Sequence, residues 1–169
     1  PAHFPSGDNF WEPNIRFQTF HWQGKSLGLI FRNVGSISKP KISVEIFGHE
    51  KLTNDFVGSL IQEIIYRYNL NLDLSEFYQE FFKDKVMDIA IKNLYGMRPG
   101  HQDSLYEYLI IGVVLQNCTV RRSIQMMQML FEHYGTLLEF GDKKLWCFWE
   151  PGTLKDVSEE ELRSLKIGY

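Results

Sequence analysis

The N-terminal third of the chain alternates apolar and polar side chains in the way that predicts β-strands. In residues 41–47, Ile42, Val44 and Ile46 fall on one face of an extended chain, and polar side chains fall on the other. Residues 14–22 and 26–33 are rich in aromatic and β-branched side chains and flank a glycine-containing turn. The pattern predicts three antiparallel strands, preceded by an irregular, turn-rich arm at residues 1–9.

After residue 50 the spacing of apolar residues changes to the period of an α-helix. Helices are predicted over residues 56–68, 73–82, 84–95, 105–115, 119–135 and 159–166. Their candidate N-terminal caps are Asn54 or Asp55, Asp73 with Glu76, Asp103 or Ser104, Thr119, and Ser158 with Glu161. Residues 137–148 are ambiguous and compatible with a further helix.

These patterns predict an α+β fold, because the strands come first and the helices follow. The predicted domains are a small N-terminal antiparallel β-sheet lobe at residues 1–50 and an all-helical lobe at residues 51–169. The sequence shows no internal repeat and no low-complexity segment.

Composition places the chain among globular proteins and limits its chemistry. The chain is 44% hydrophobic and 23% charged, and its net charge of −3 requires any nucleic-acid contact to use a local basic patch. No apolar run is long enough to span a membrane, and two cysteines give no disulfide framework, which fits a reduced cytoplasm. The histidines and cysteines share no ligand spacing, so neither a metal site nor a cofactor is expected.

The polar segment Gln116-Asn117-Cys118-Thr119 joins two strongly apolar helical stretches, and we call it the hinge. Amides that end a helix can be ordinary capping residues, and Cys118 is expected to be a small buried residue. However, Arg121 and Arg122 follow within one helical turn, where their charge opposes the helix dipole. An amide tip beside two arginines can also hydrogen-bond bases and phosphates, so both interpretations stay open.

Several motifs resemble the helix-hairpin-helix DNA glycosylase superfamily, and among its members the chain is similar to the 8-oxoguanine DNA glycosylases. The motifs are Gln18-Thr19-Phe20-His21-Trp22, Gly96-Met97-Arg98 with Gln102-Asp103, the helix that ends in Gln116-Asn117, Tyr134-Gly135, and Thr153-Leu154 followed by residues 158–165. The resemblance implies a base-excision repair enzyme that binds double-stranded DNA and flips a damaged base into a pocket.

The resemblance also implies roles for the hinge. Asn117 would be the wedge that fills the gap left by the flipped base, and Gln116 would support the same gap. Arg122 would donate hydrogen bonds to the cytosine opposite the lesion. Arg121 would contact a phosphate.

For the damaged-base pocket, the resemblance implies Phe17 and Gln18. Phe17 replaces a glycine of the family motif, so the damaged base is expected to be either 8-oxoguanine or an alkylated purine. The alternative is that Phe17 is a core aromatic residue. The family's catalytic aspartate and Schiff-base lysine, and its hairpin, correspond to positions beyond Tyr169. The chain is therefore expected to be the N-terminal part of a longer enzyme, to pack against the remainder of an incomplete helical lobe, and to contain no catalytic residue.

The function expected from the resemblance is removal of a damaged purine from DNA, with or without lyase activity. Its expected location is the cytoplasm or nucleoid, or the nucleus in a eukaryote. The alternative function is a non-catalytic protein-interaction module of α+β fold, which fits the acidic net charge and the lack of catalytic chemistry.

Overall fold

The computed structural model describes residues 7–101 and 103–167 and confirms the α+β fold class. The chain forms two compact units. The sheet unit comprises Pro1–Leu52 and Leu105–Tyr169, and the three-helix unit comprises Thr53–Ser104. This division groups the later helices with the sheet, whereas the sequence analysis places them with residues 51–104 in one lobe. The predicted lobe assignment stays a prediction.

The sheet unit contains a four-stranded antiparallel sheet. Its strands are β1 (Asn9–Glu12), β2 (Ile15–Trp22), β3 (Lys25–Asn33) and β4 (Ile42–Phe47), and they are adjacent in sequence order. The three predicted strands are confirmed. The prediction of an irregular arm at residues 1–9 is wrong at its end, because β1 begins at Asn9, and residues 1–6 lie outside the described residues.

A β-hairpin replaces the helix considered for residues 137–148. Its strands are β5 (Thr136–Phe140) and β6 (Lys143–Cys147), joined by a turn in which Gly141 has a φ of +60°. Two alternate residues on each strand of the hairpin are apolar and buried, namely Leu138 and Phe140 on β5 and Leu145 and Cys147 on β6. These side chains form one core with Phe17 and Ile30 of the sheet, so the hairpin is a second β-layer. In a strand these alternate side chains lie on one face, whereas in a helix they would point in different directions.

The remaining elements of the sheet unit are α4 (Leu105–Val114), α5 (Val120–Tyr134), a 3₁₀ turn (Pro151–Leu154) and α6 (Glu159–Ser164). Their apolar faces meet in a second core, whose buried members are Val114, Met126, Met127, Leu130, Phe131, Phe148, Trp149 and Leu165. The caps predicted at Thr119 and Ser158 are confirmed, since their hydroxyl oxygens accept hydrogen bonds from the N–H groups of Arg122 and Glu161.

The three-helix unit consists of α1 (Asn54–Arg67), α2 (Ser75–Phe81) and α3 (Lys85–Asn93). The cap of α1 is Thr53, which corrects the choice of Asn54 or Asp55. The cap of α2 is Leu74, and the predicted cap Asp73 instead accepts hydrogen bonds from the backbone and hydroxyl of Ser75. Thr, Asn and Asp can each accept hydrogen bonds from the free N–H groups at the start of a helix. The sequence alone therefore does not decide which of several neighbouring residues is the cap.

Candidate nucleic-acid interface

The hinge forms an exposed turn between α4 and α5. Gln116, Asn117, Cys118 and Thr119 are all exposed, so the expectation of a buried Cys118 is wrong. Asn117 has a φ of +51°, in the left-handed region that asparagine tolerates better than most residues. This conformation ends the helical path of α4 and leaves the Asn117 side chain at the surface.

Contacts from the start of α5 hold the hinge. The Oγ of Ser123, which is fully buried, lies 3.3 Å from the carbonyl oxygens of both Val114 and Thr119. The hydroxyl of Thr119 accepts a hydrogen bond of 3.3 Å from the N–H of Arg122. Contacts from α5 therefore fix the hinge at both of its ends, at the last residue of α4 and at Thr119.

Two arginine side chains lie at the surface directly after the hinge. Arg121 and Arg122 are exposed in the first turn of α5, and the guanidinium of Arg122 donates from Nη2 to the carbonyl oxygen of Lys166. Within residues 7–101 and 103–167, neither arginine nor Lys166 forms an ion pair with a carboxylate. We call Arg121 and Arg122 the cationic patch. It provides a local positive surface on a chain whose net charge is −3.

The two residues expected in a damaged-base pocket are buried in the sheet unit. The Phe17 side chain is 4% exposed and packs in the core between sheet and hairpin, 6.5 Å from the Phe10 ring and 6.4 Å from the Phe140 ring. Gln18 is 1% exposed. The structure therefore favours the alternative that Phe17 is a core aromatic residue. A role for either residue in base recognition stays a prediction.

The loop that carries the Gly96-Met97-Arg98 motif lies in the three-helix unit. Arg98 donates hydrogen bonds to the carbonyl oxygens of Gly96 (2.9 Å) and Leu72 (3.3 Å), and Gly96 has a φ of +82°. The N–H of Gly96 donates to the hydroxyl of Tyr78 at 2.8 Å. These contacts give the motif a structural role in fixing the loop. Gln102 of the same motif lies outside the described residues.

The ionisable groups with the largest pKa shifts are structural. Burial raises the pKa of the Cys147 thiol to about 12, which keeps it protonated and unreactive at neutral pH. Burial, and then the hydrogen bond to the Glu161 carboxylate, raise the pKa of Tyr134 to about 12. In the part of the chain that the structure describes, no three histidine, cysteine or acidic side chains converge as metal ligands would. Equally, none of the described helices is both long and apolar enough to cross a membrane.

Comparison with known proteins identifies the fold as that of DNA glycosylases. No protein-family model matches the chain. The 3-methyladenine DNA glycosylase of Archaeoglobus fulgidus superposes on 96% of this chain and 54% of its own, with a TM-score of 0.75 and 15% identity. The 8-oxoguanine glycosylase/lyase of Clostridium acetobutylicum, solved with double-stranded DNA that contains cytosine opposite 8-oxoguanine, superposes on 96% of this chain and 50% of its own, with a TM-score of 0.61 and 16% identity.

Sequence comparison gives the same class of protein. The DNA-3-methyladenine glycosylase of Bacillus subtilis is 24% identical over 100 residues, which is 59% of this chain and 33% of that protein. The predicted resemblance to helix-hairpin-helix DNA glycosylases is thus confirmed at the level of fold and general similarity. The chain spans about half the length of the solved structures and matches about a third of the curated relative.

Proposed function

We propose that the complete protein is a base-excision repair DNA glycosylase that binds duplex DNA and removes a damaged purine, either 8-oxoguanine or an alkylated purine. The observation that carries the proposal is the exposed hinge tip at Asn117, which stands beside the cationic patch in a chain with a glycosylase-like fold. The relatives divide between 3-methyladenine and 8-oxoguanine enzymes, and this division supports both lesion classes.

In the proposed mechanism the hinge enters the base stack. Extrusion of a base costs a few kcal/mol of lost stacking and pairing, and the damaged base returns unless its place is filled. The Asn117 amide is small enough to enter the vacated space and can hydrogen-bond the base that has lost its partner, while Gln116 borders the same gap. The Arg122 guanidinium donates to the acceptor edge of the opposite cytosine. Arg121 neutralises a phosphate and so contributes to affinity but not to sequence preference.

The chemical step needs an acid or base at the glycosidic bond, and neither Asn117 nor the cationic patch supplies one. In this proposal they bind and hold the distorted DNA, and the catalytic groups belong to another part of the complete protein. A lyase activity would further require an amine nucleophile there.

The decisive experiment compares two substitutions of Asn117 that have different effects on the backbone. Asn117→Gly keeps the left-handed conformation and removes the amide, whereas Asn117→Ala removes the amide and strains the backbone. Binding of the full-length protein to a duplex with an abasic-site analogue opposite cytosine is measured by fluorescence anisotropy. Both variants, and Arg122→Ala, are expected to bind on the order of tenfold more weakly, a loss of about 1.4 kcal/mol.

Arg32→Ala is the matched control, because Arg32 is a partly exposed arginine on the sheet that pairs with Glu45 at 2.8 Å. It is expected to bind as the wild type does. Wild-type affinity in Asn117→Gly, Asn117→Ala and Arg122→Ala alike would exclude the hinge as the DNA-probing element. Single-turnover excision from duplexes with 8-oxoguanine or 3-methyladenine then decides between the two lesion classes.

A second candidate function is a protein-interaction module. Phe10 and Trp11 of the edge strand β1 are each nearly half exposed, and α4 presents further apolar side chains to solvent. Surfaces of this kind bind protein partners. Failure of the full-length protein to bind any lesion-containing duplex would favour this function over the glycosylase.

A further inference from the structure

Lys166 adopts a backbone conformation that lysine rarely uses. Helix α6 ends at Ser164, and the N–H of Lys166 returns to the carbonyl oxygen of Arg163 at 2.9 Å. Lys166 itself has a φ of +55°, the left-handed conformation that glycine usually supplies after a helix. Such an outlier suggests a requirement at this position that outweighs the cost of the strain.

The left-handed turn directs the Lys166 carbonyl to Arg122. That oxygen accepts a hydrogen bond from Nη2 of Arg122, although the two residues are 44 positions apart in the sequence. The Arg122 backbone is held separately, through its N–H donation to Thr119. Arg122 is thus fixed from two sides, by the hinge at its backbone and by the end of α6 at its guanidinium.

This contact affects how Arg122 can read a base. A guanidinium carries its N–H donors in one rigid plane, so a single well-placed carbonyl sets the orientation of the plane and leaves the other donors available. A planar fork discriminates between bases only when its donors align with two acceptors. An exposed arginine with free rotamers would retain its charge but lose this alignment.

We propose that Lys166 is a positioning residue, whose backbone carbonyl orients Arg122 so that the arginine distinguishes cytosine from other bases opposite the lesion. This inference rests on the proposed function and deepens it. It assigns the role to the carbonyl of Lys166 and to its left-handed backbone. The ammonium group of Lys166 is not required.

Two substitutions separate the carbonyl from the side-chain charge. Lys166→Gly removes the ammonium group and favours the left-handed backbone, whereas Lys166→Val removes the same charge and disfavours that backbone because valine is β-branched. For each full-length variant, affinity is measured for duplexes with an abasic-site analogue opposite cytosine and opposite adenine. The ratio of the two affinities reports base reading, and a purely structural contact would not change it.

The wild type and Lys166→Gly are expected to prefer cytosine by on the order of tenfold, as a bidentate contact provides. Lys166→Val and Arg122→Ala are expected to lose most of that preference. A wild-type ratio in Lys166→Val, with the ratio lost in Arg122→Ala, would overturn the positioning role and leave the proposed function standing. Lys166→Gly could instead bind both duplexes more weakly while both Lys166 variants keep the wild-type ratio. This result would assign Lys166 to phosphate binding and would also overturn the positioning role. Absence of lesion binding by the wild type would be the failure of the proposed function.

A measurement without DNA covers the case in which Lys166→Val folds poorly. In the wild-type protein the hydrogen-bonded Nη2 of Arg122 should give a slowly rotating guanidinium signal in arginine side-chain NMR spectra, and Lys166→Gly should keep it. A freely rotating Arg122 guanidinium in the wild type would overturn the proposal.

Discussion

At the scale of single residues, Asn117 meets two demands at once. Its left-handed φ of +51° needs a residue that tolerates this region, and asparagine is among the few that do. Its amide is also exposed at the tip of the hinge. The backbone alone is therefore a sufficient reason for an asparagine here. For this reason Asn117→Gly, which satisfies the backbone and removes the amide, is the informative substitution.

The buried thiol of Cys147 makes the stability of the sheet unit depend on alkaline pH. The folded-state pKa is raised to about 12, whereas the thiol of the unfolded chain ionises near 9.0. Above pH 9.0 the unfolded state loses a proton that the folded state keeps, so the free energy of unfolding falls as the pH rises and is unaffected by this group at lower pH. The slope approaches about 1.4 kcal/mol per pH unit for one group.

Urea unfolding at several pH values between 9 and 10 measures this slope, and comparison with Cys147→Ala separates it from the contribution of Tyr134, whose ordinary pKa is 10.0. Cys147→Ala is expected to be less stable at neutral pH, because it leaves a small cavity, but to lose less stability on the rise from pH 9 to 10. Equal slopes for the two proteins would show that the thiol is not protected from ionisation.

At the scale of secondary-structure elements, the docking of the β5–β6 hairpin depends on a missing side chain. A Cβ built on Gly28 of β3 would lie 2.4 Å from the ring of Phe140, which is buried. Gly28→Ala must therefore displace the hairpin or the ring. It is expected to lower the free energy of unfolding by about 1–3 kcal/mol, as overpacking of a core does.

Gly112→Ala is the opposite control. Gly112 lies in α4, and no atom outside the neighbouring helix backbone lies within 4 Å of a Cβ placed on it. Alanine is therefore expected to stabilise the helix by about 0.5–1 kcal/mol. Chemical denaturation of both variants at neutral pH gives the comparison. Wild-type stability of Gly28→Ala would contradict the close contact between Gly28 and the ring of Phe140.

The elements differ in how well the sequence predicts them, and the reasons are physical. Residues 41–47 alternate cleanly and Thr119 is a strong cap, so β4 and the start of α5 follow from local chemistry. The hairpin has one local signal, the Gly141-Asp142 pair, which is typical of a tight turn between two strands. The contact between Arg122 and Lys166 has no such local signal, because it depends on tertiary packing of two helices.

At the scale of the whole molecule, α4 presents apolar side chains on two sides. One side packs in the helical core through Val114, while Leu105, Leu109 and Val113 on the other side are 76%, 58% and 65% exposed. Continuous apolar surface of this kind drives association. The 169-residue chain is expected to self-associate at micromolar concentration, and Leu109→Lys is expected to shift it toward monomer in sedimentation velocity experiments.

Ile37→Lys provides the control, because Ile37 is 82% exposed in the loop between β3 and β4, which is outside this helix. It removes an even more exposed apolar side chain and introduces the same charge. If both variants sediment alike, the association does not use the exposed face of α4.

The sheet unit is discontinuous in sequence, and this sets the order in which it can form during synthesis. The N–H of Trp146 donates to the Gly7 carbonyl at 2.8 Å, and the hydroxyl of Thr19 donates to the Trp146 carbonyl at the same distance, so the earliest described segment bonds to one of the latest strands. While the ribosome makes residues 53–104, the four strands have no hairpin to cover Phe17 and Ile30. The nascent sheet therefore carries an uncovered apolar face until β6 emerges, and we expect chaperones to bind the chain during this interval.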